Sequence, residues 1–383
     1  MNLAPWQRAP LLALGFVALV AGTAAGLARL GWHLPDAATA LVALHGPLMI
    51  CGFFGCVIAL ERAVAIGRLW AYAGPLAAGL GTLALLGGLQ REASWFYVAG
   101  GVVLTAASID IVRRQRALFT FTLALGAFAW LAGSARWALG FAVHEVVPWW
   151  IAFLVLTIAG ERLELSRFLP PSPVAARVFA ALLVACIAGL AGGTHDMAWG
   201  APLFAASLLG LAAWLVRQDI ARRTVRGKGL TRFIAVALLS GYLWLAVGAA
   251  VALASGGLAA GTRGYDAALH AVLIGFVFSM VFGHAPIIFP AVLRVTMPYH
   301  PSFYLPLALL HVSLVIRLAG DATGGFELLR IGGALNALAL AAFIIGTVTA
   351  VVRGRRASKV PAEAGLGALG NARRFKRARS RPR

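Results

Sequence analysis

Four of the eight histidines, His45, His270, His284 and His311, stand inside long apolar stretches. An ionisable side chain is costly there and tends to be kept for chemistry. A neutral imidazole in such a place can ligate a metal through one ring nitrogen or pass a proton between hydrogen-bond partners. His45 lies seven residues past Ala38 and His270 five past Tyr265. If both stretches cross a bilayer in the same direction, the rings sit roughly 10 Å and 8 Å below the same surface. Two imidazoles at matched depth can clamp a haem iron from both faces. Each could equally do no more than bond a neighbouring backbone carbonyl. His284 follows on nearly the same face as His270 but roughly 21 Å deeper, too far to share that iron. It is a candidate proton relay or ligand of a second cofactor, or a ring bonded to backbone freed by Pro286. His311, at mid-depth of its stretch, is a candidate distal ligand or inter-helix hydrogen bond. His144, with His195 and Asp196, is a candidate for a metal site at a helix mouth.

The elements that position these residues are membrane helices. The 383 residues are 61% hydrophobic and 12% charged, and the mean hydropathy is +0.87. That excludes disorder, coiled coil and an ordinary soluble domain. Twelve stretches reach the roughly 20 apolar residues a spanning helix needs. They run over 10–29, 38–60, 70–89, 94–112, 117–139, 146–163, 174–193, 197–216, 231–254, 265–290, 302–319 and 327–351. The division is a twelve-helix domain over 1–352 and a basic, disordered cytoplasmic tail over 353–383. With the N-terminus inside, only Arg29, Arg91, Arg136, Arg263, Arg317 and Arg330 fall outside, and the other 27 of the 33 basic residues fall inside. This asymmetry puts both termini in the cytoplasm and the chain in a bacterial inner membrane. The net charge of +20 is then a matter of topology and of a tail lying on anionic lipid, with nucleic acid an unlikely partner. Cys51, Cys56 and Cys186 all lie in apolar stretches and form no CxxC pair, so they read as packing residues. Trp6, Trp32, Trp95, Trp149 and Trp150 fall near stretch ends and read as interface anchors.

The second stretch reads His45-Gly46-Pro47-Leu48-Met49. It resembles the His-Gly-x-x-Met element in the second helix of the catalytic subunit of haem–copper oxidases. The tenth runs from His270 to Phe289-Pro290 and resembles that subunit's tenth helix, which carries a histidine pair and closes on Phe-Pro. The resemblance implies an all-α bundle of three four-helix arcs, with His45 and His270 as axial ligands of one low-spin haem b. It also implies what is missing. The histidine that holds the family's high-spin haem maps onto Ala268, and the seventh stretch has no histidine for copper. An oxygen-reducing centre of the family type is therefore not expected, and copper lacks a complete ligand set. A faint internal repeat agrees with three arcs: His45 precedes Glu61-Arg62 much as His144 precedes Glu161-Arg162, and stretches 2, 6 and 10 each carry a histidine. In length and in the missing centre, the chain also resembles the NnrS-type family of haem- and copper-associated membrane proteins linked to nitric oxide.

A haem hung between His45 and His270 would direct its propionates outward, toward arginines. Arg317 and Arg330 are the first candidates, with Arg263 and Arg136 behind them. Glu61, Arg62, Glu161 and Arg162 crowd the inner ends as anchors, or as a proton entry or docking site. The expected role is electron transfer or nitric-oxide handling, with room for a redox partner or further membrane subunits. The rival class is a haem-free transporter of metal or small solute, or a membrane assembly factor. For that class, broken helices at Pro47 and Pro286 would be the mark.

Overall fold

A computed structural model describes residues 2–165, 172–195, 197–258 and 260–359, and no strand occurs among them. Twelve helices are long and apolar enough to cross a membrane. In chain order, spans 1 to 12 are Pro5–Arg29, Val42–Ile66, Leu69–Leu86, Gln90–Arg114, Leu118–Ala138, Val143–Leu165, Pro173–Gly192, Ala198–Gln218, Gly229–Ala254, Arg263–Leu293, Pro301–Thr323 and Phe326–Arg355. This is an integral, all-α, polytopic membrane protein.

Local chemistry sets the span ends. Ser172 Oγ accepts the backbone N–H of Ala175 and Pro173 takes the first helical position, which together start span 7. Thr262 Oγ1 accepts from the N–H of Tyr265 and starts span 10. Gly67 and Gly324 adopt left-handed backbone (φ 69° and 71°) and turn the chain out of spans 2 and 11. Most span ends fall within a few residues of those expected, and two of the differences have a clear local cause. Pro35 starts a single turn over Asp36–Thr39, where Thr39 Oγ1 bonds back to the carbonyl of Asp36, and the continuous span begins only at Val42. The last helix runs from Phe326 to Lys359, past the expected end of the membrane domain at 352, because no proline falls in Val352–Lys359 and the single Gly354 is tolerated. Residues 360–383, most of the basic tail, lie outside the described residues.

Spans 2, 6 and 10 form the centre. They are the most buried, at 61%, 67% and 61% of their apolar windows, against 50% or less for every other span. They pack on one another, while the remaining spans follow around them and span 12 closes against span 1. The four-helix period of the sequence echo is thus the period of the central spans. Trp150 is one consequence. It was expected at the interface, but span 6 is central and begins at Val143, which draws this indole fully into the core. Trp6 and Trp95 are exposed as anchors should be.

Spans 2 and 10 share a second irregularity. After His45–Pro47, span 2 widens into a π-helix over Leu48–Phe54, and directly after His270, span 10 does the same over Ala271–Phe278. Such segments recur at functional sites, because the extra residue per turn re-aims the side chains that follow. Phe53 and Phe278, one from each π segment, stack with ring centroids 5.9 Å apart. Neither Pro47 nor Pro286 breaks its span.

Candidate functional site

His45 and His270 come together. Their rings are 6.5 Å apart between centroids and 19° from parallel. A metal–imidazole bond is about 2 Å and the ring centre lies about 1 Å behind the nitrogen, so two imidazoles facing one iron have centroids about 6 Å apart. The observed separation fits that requirement.

The tautomers fit as well. His45 Nδ1 lies 2.7 Å from the carbonyl oxygen of Gly22 on span 1, and His270 Nδ1 lies 2.9 Å from that of Asp266. A carbonyl only accepts, so each Nδ1 carries the proton and donates. Each Nε2 keeps its lone pair, and neither forms a hydrogen bond among the described residues. Backbone bonding, the plain alternative for these two rings, is therefore present, and it is also the arrangement that readies an imidazole as a ligand. His270 is backed further. Asp266 Oδ1 is 3.3 Å from its Nδ1, and Arg317 of span 11 forks onto Asp266 through Nε at 2.9 Å and Nη2 at 3.0 Å. A chain of carboxylate and guanidinium thus stands behind one ring. Were the pair to hold a metal centre, replacing Asp266 with Ala would weaken its binding about 10–100-fold, as loss of such partners does elsewhere. Haem titration of the purified variant measures it.

His45 depends on span 1. A methyl group at Gly26 would lie 2.9 Å from Cε1 and Nδ1 of His45, and one at Gly22 would lie 2.8 Å from Met49 Sδ. The two glycines, four residues apart on one face, let span 2 seat its imidazole against span 1. Gly26→Leu should push the His45 ring out of place, and would lower the occupancy of any metal centre held by the pair at least as far as Asp266→Ala, with the twelve-span fold retained. Haem-to-protein ratio and thermal unfolding of the same sample read the two effects separately.

The other candidates lie elsewhere. Arg317 is committed to Asp266, so its first role is to hold that carboxylate. Arg330 stacks over Trp32, 4.4 Å from the ring centroid, and pairs with Glu327 at 3.6 Å. Arg29 stands exposed at the end of span 1. The sequence reading counted Arg29 among the outer arginines without assigning it a role. His311 Nδ1 accepts the indole N–H of Trp244 at 3.0 Å, leaving a buried Nε2–H without a partner. No hydrogen bond or ring contact joins His311 to the His45–His270 pair among the described residues. His144 lies at the mouth of a cavity with His195, while Asp196 falls outside the described residues.

His284 belongs to a separate buried cluster at the far end of the bundle. Its Nδ1–H donates to the carbonyl of Met280 at 2.8 Å, so its Nε2 accepts from Arg162 Nη1 at 3.3 Å. That lone pair is taken, and the ring has no nitrogen left for a second cofactor. Arg162 forks onto Asp219 at 2.7 Å and 3.0 Å, and Tyr242 donates to the same carboxylate at 2.7 Å. The backbone N–H of Ala221 donates to it as well, also at 2.7 Å. The cluster ties spans 6, 9 and 10 to the loop after span 8.

The fold and this pair define a polytopic helical membrane protein with two metal-ready imidazoles near one end of its central spans. Residues 8–352 match a family described as a domain of unknown function (DUF8744), and the chain belongs to that family. No curated protein matches it.

Proposed function

We propose that this protein binds one haem b between His45 and His270 and serves in electron transfer within the membrane. The observation that carries the reading is the imidazole pair itself: near-parallel rings 6.5 Å apart, each with Nδ1 tied to a carbonyl and Nε2 uncommitted. When bound, the iron supplies one-electron redox chemistry. The residues supply the rest. Gly22 and Asp266 hold the tautomers, Gly26 leaves the space for His45, and Arg317 holds Asp266 beside His270. His45 and His270 together would hold the iron, an arrangement that suits electron transfer and would leave no open site for oxygen reduction. Nitric-oxide handling is the variant in which one histidine leaves the iron. The positive-inside asymmetry supports a cytoplasmic membrane with both termini inside, and so puts the pair toward the outer face, below Arg29.

The test is haem content and gas response of the detergent-purified chain, expressed with haem supplied. One haem b per chain, unchanged on adding nitric oxide, supports the electron carrier. A nitrosyl spectrum at low gas concentration moves the role to gas handling. A haem-free protein rejects the reading.

A further inference from the structure

A cavity of about 450 Å³ opens beside span 10. Its lining includes Ala268 and Val272, two residues to either side of His270, so it lies on the other flank of the helix that carries that histidine. The volume falls within the few hundred Å³ typical of small-molecule sites. The walls are apolar and partly aromatic, from Trp149 of span 6, Phe204 and Leu208 of span 8 and Val272. The body of the cavity carries no imidazole or thiolate, and the two imidazoles of its lining, His144 and His195, stand together at one end. The space exists because small residues, Ala205, Gly248, Ala252 and Ala268, occupy positions where larger side chains would close it.

Three hydrogen-bonding side chains gather at one end: Arg136, His144 and His195. The Nε of Arg136 is buried and makes no hydrogen bond, and its guanidinium lies 3.9 Å over the ring of Phe141. Neither His144 nor His195 forms a side-chain hydrogen bond among the described residues. Glu145, the one carboxylate lining the cavity among the described residues, caps its own helix by accepting the backbone N–H of Ala142 at 2.7 Å. The occupant must therefore be apolar in its body, flat enough to lie against Trp149 and Phe204, and able to accept a hydrogen bond at its head. Imidazoles donate or accept as the tautomer requires, so a head that alternates between carbonyl and hydroxyl suits this end in both states. We infer that the cavity binds a lipid-soluble quinone or its quinol, with the ring oxygen on Arg136 and the two histidines. This inference does not depend on the haem.

A short-chain benzoquinone titrated into the purified full-length protein tests it, by isothermal calorimetry and tryptophan quenching. The wild type should bind one equivalent saturably. Arg136→Leu should weaken binding about tenfold, the cost of one charge-assisted hydrogen bond. Ala205→Phe should abolish saturable binding by filling the chamber while thermal unfolding stays unchanged. If Ala205→Phe fails to fold, Arg136→Leu, at the exposed mouth, decides alone. A protein lacking both His45 and His270 should still bind the quinone, which separates this site from the haem reading. Non-saturable titration, wild-type affinity in Arg136→Leu, or displacement of the quinone by equimolar oleate would overturn the proposal.

Discussion

His45→Ala and His270→Ala should each abolish the low-spin haem spectrum that the wild type is expected to show. Loss of a ligand must cost at least the roughly 10–100-fold in metal-centre affinity that loss of a hydrogen-bond partner behind a ligand costs. The two variants should fail equally, because low-spin iron needs both axial nitrogens. Their stability should change little. Each ring is largely but not fully buried, the His270 side chain being 16% exposed, and gives up one hydrogen bond to a carbonyl, a loss of about 1 kcal/mol. His311→Ala is the control. Its ring bonds Trp244 and has no contact with the pair, so the haem should survive. Loss of haem in His311→Ala but not in His45→Ala would contradict the assignment.

Arg162→Leu should be the most destabilising single change at the far end of the bundle. Side chains of Arg162 and Asp219 are 5% and 1% exposed, so removing the cation leaves a buried carboxylate without its counter-charge. Breaking such a pair costs about 3–5 kcal/mol. Asp219→Leu should do similar harm by stranding Arg162. The double variant Arg162→Leu/Asp219→Leu should recover part of the loss, because no unpaired charge remains. The recovery is incomplete, since Tyr242, His284 and the N–H of Ala221 all lose a partner. Thermal unfolding in detergent ranks the three. Haem content should hold in every sample that stays folded, because the cluster and the His45–His270 pair lie at opposite ends of span 10.

Much of this arrangement was legible in the residues. Twelve apolar stretches became twelve spans because lipid-facing helices need unbroken hydropathy, and that signal is independent of tertiary contacts. Depth counting on two parallel helices put His45 and His270 at one level, and the resemblance to the oxidase subunit paired them. Their partners were harder to see. Asp266 lies four residues before His270, a spacing that places both on one helix face, and it could have been read as a carboxylate behind a ligand. The spacing of Gly22 and Gly26 was a packing signal of the same kind. Arg317 was read as a partner for an anionic ligand, but bonds Asp266 instead, because nothing in one helix's sequence tells which neighbour it will meet. Asp219 follows a polar helix end, and nothing in that stretch marks it as buried. Only the assembled bundle brings Arg162 and Tyr242 onto it. The π segments were beyond reach, since Leu48–Phe54 and Ala271–Phe278 have ordinary apolar helix composition.

The most direct test of the central claim is the electron paramagnetic resonance spectrum of the ferric wild-type protein, purified with haem supplied, beside its haem-to-chain ratio. Two near-parallel imidazoles on one iron predict a single rhombic low-spin signal at one haem per chain. A high-spin signal, or a protein that stays haem-free, would contradict the account.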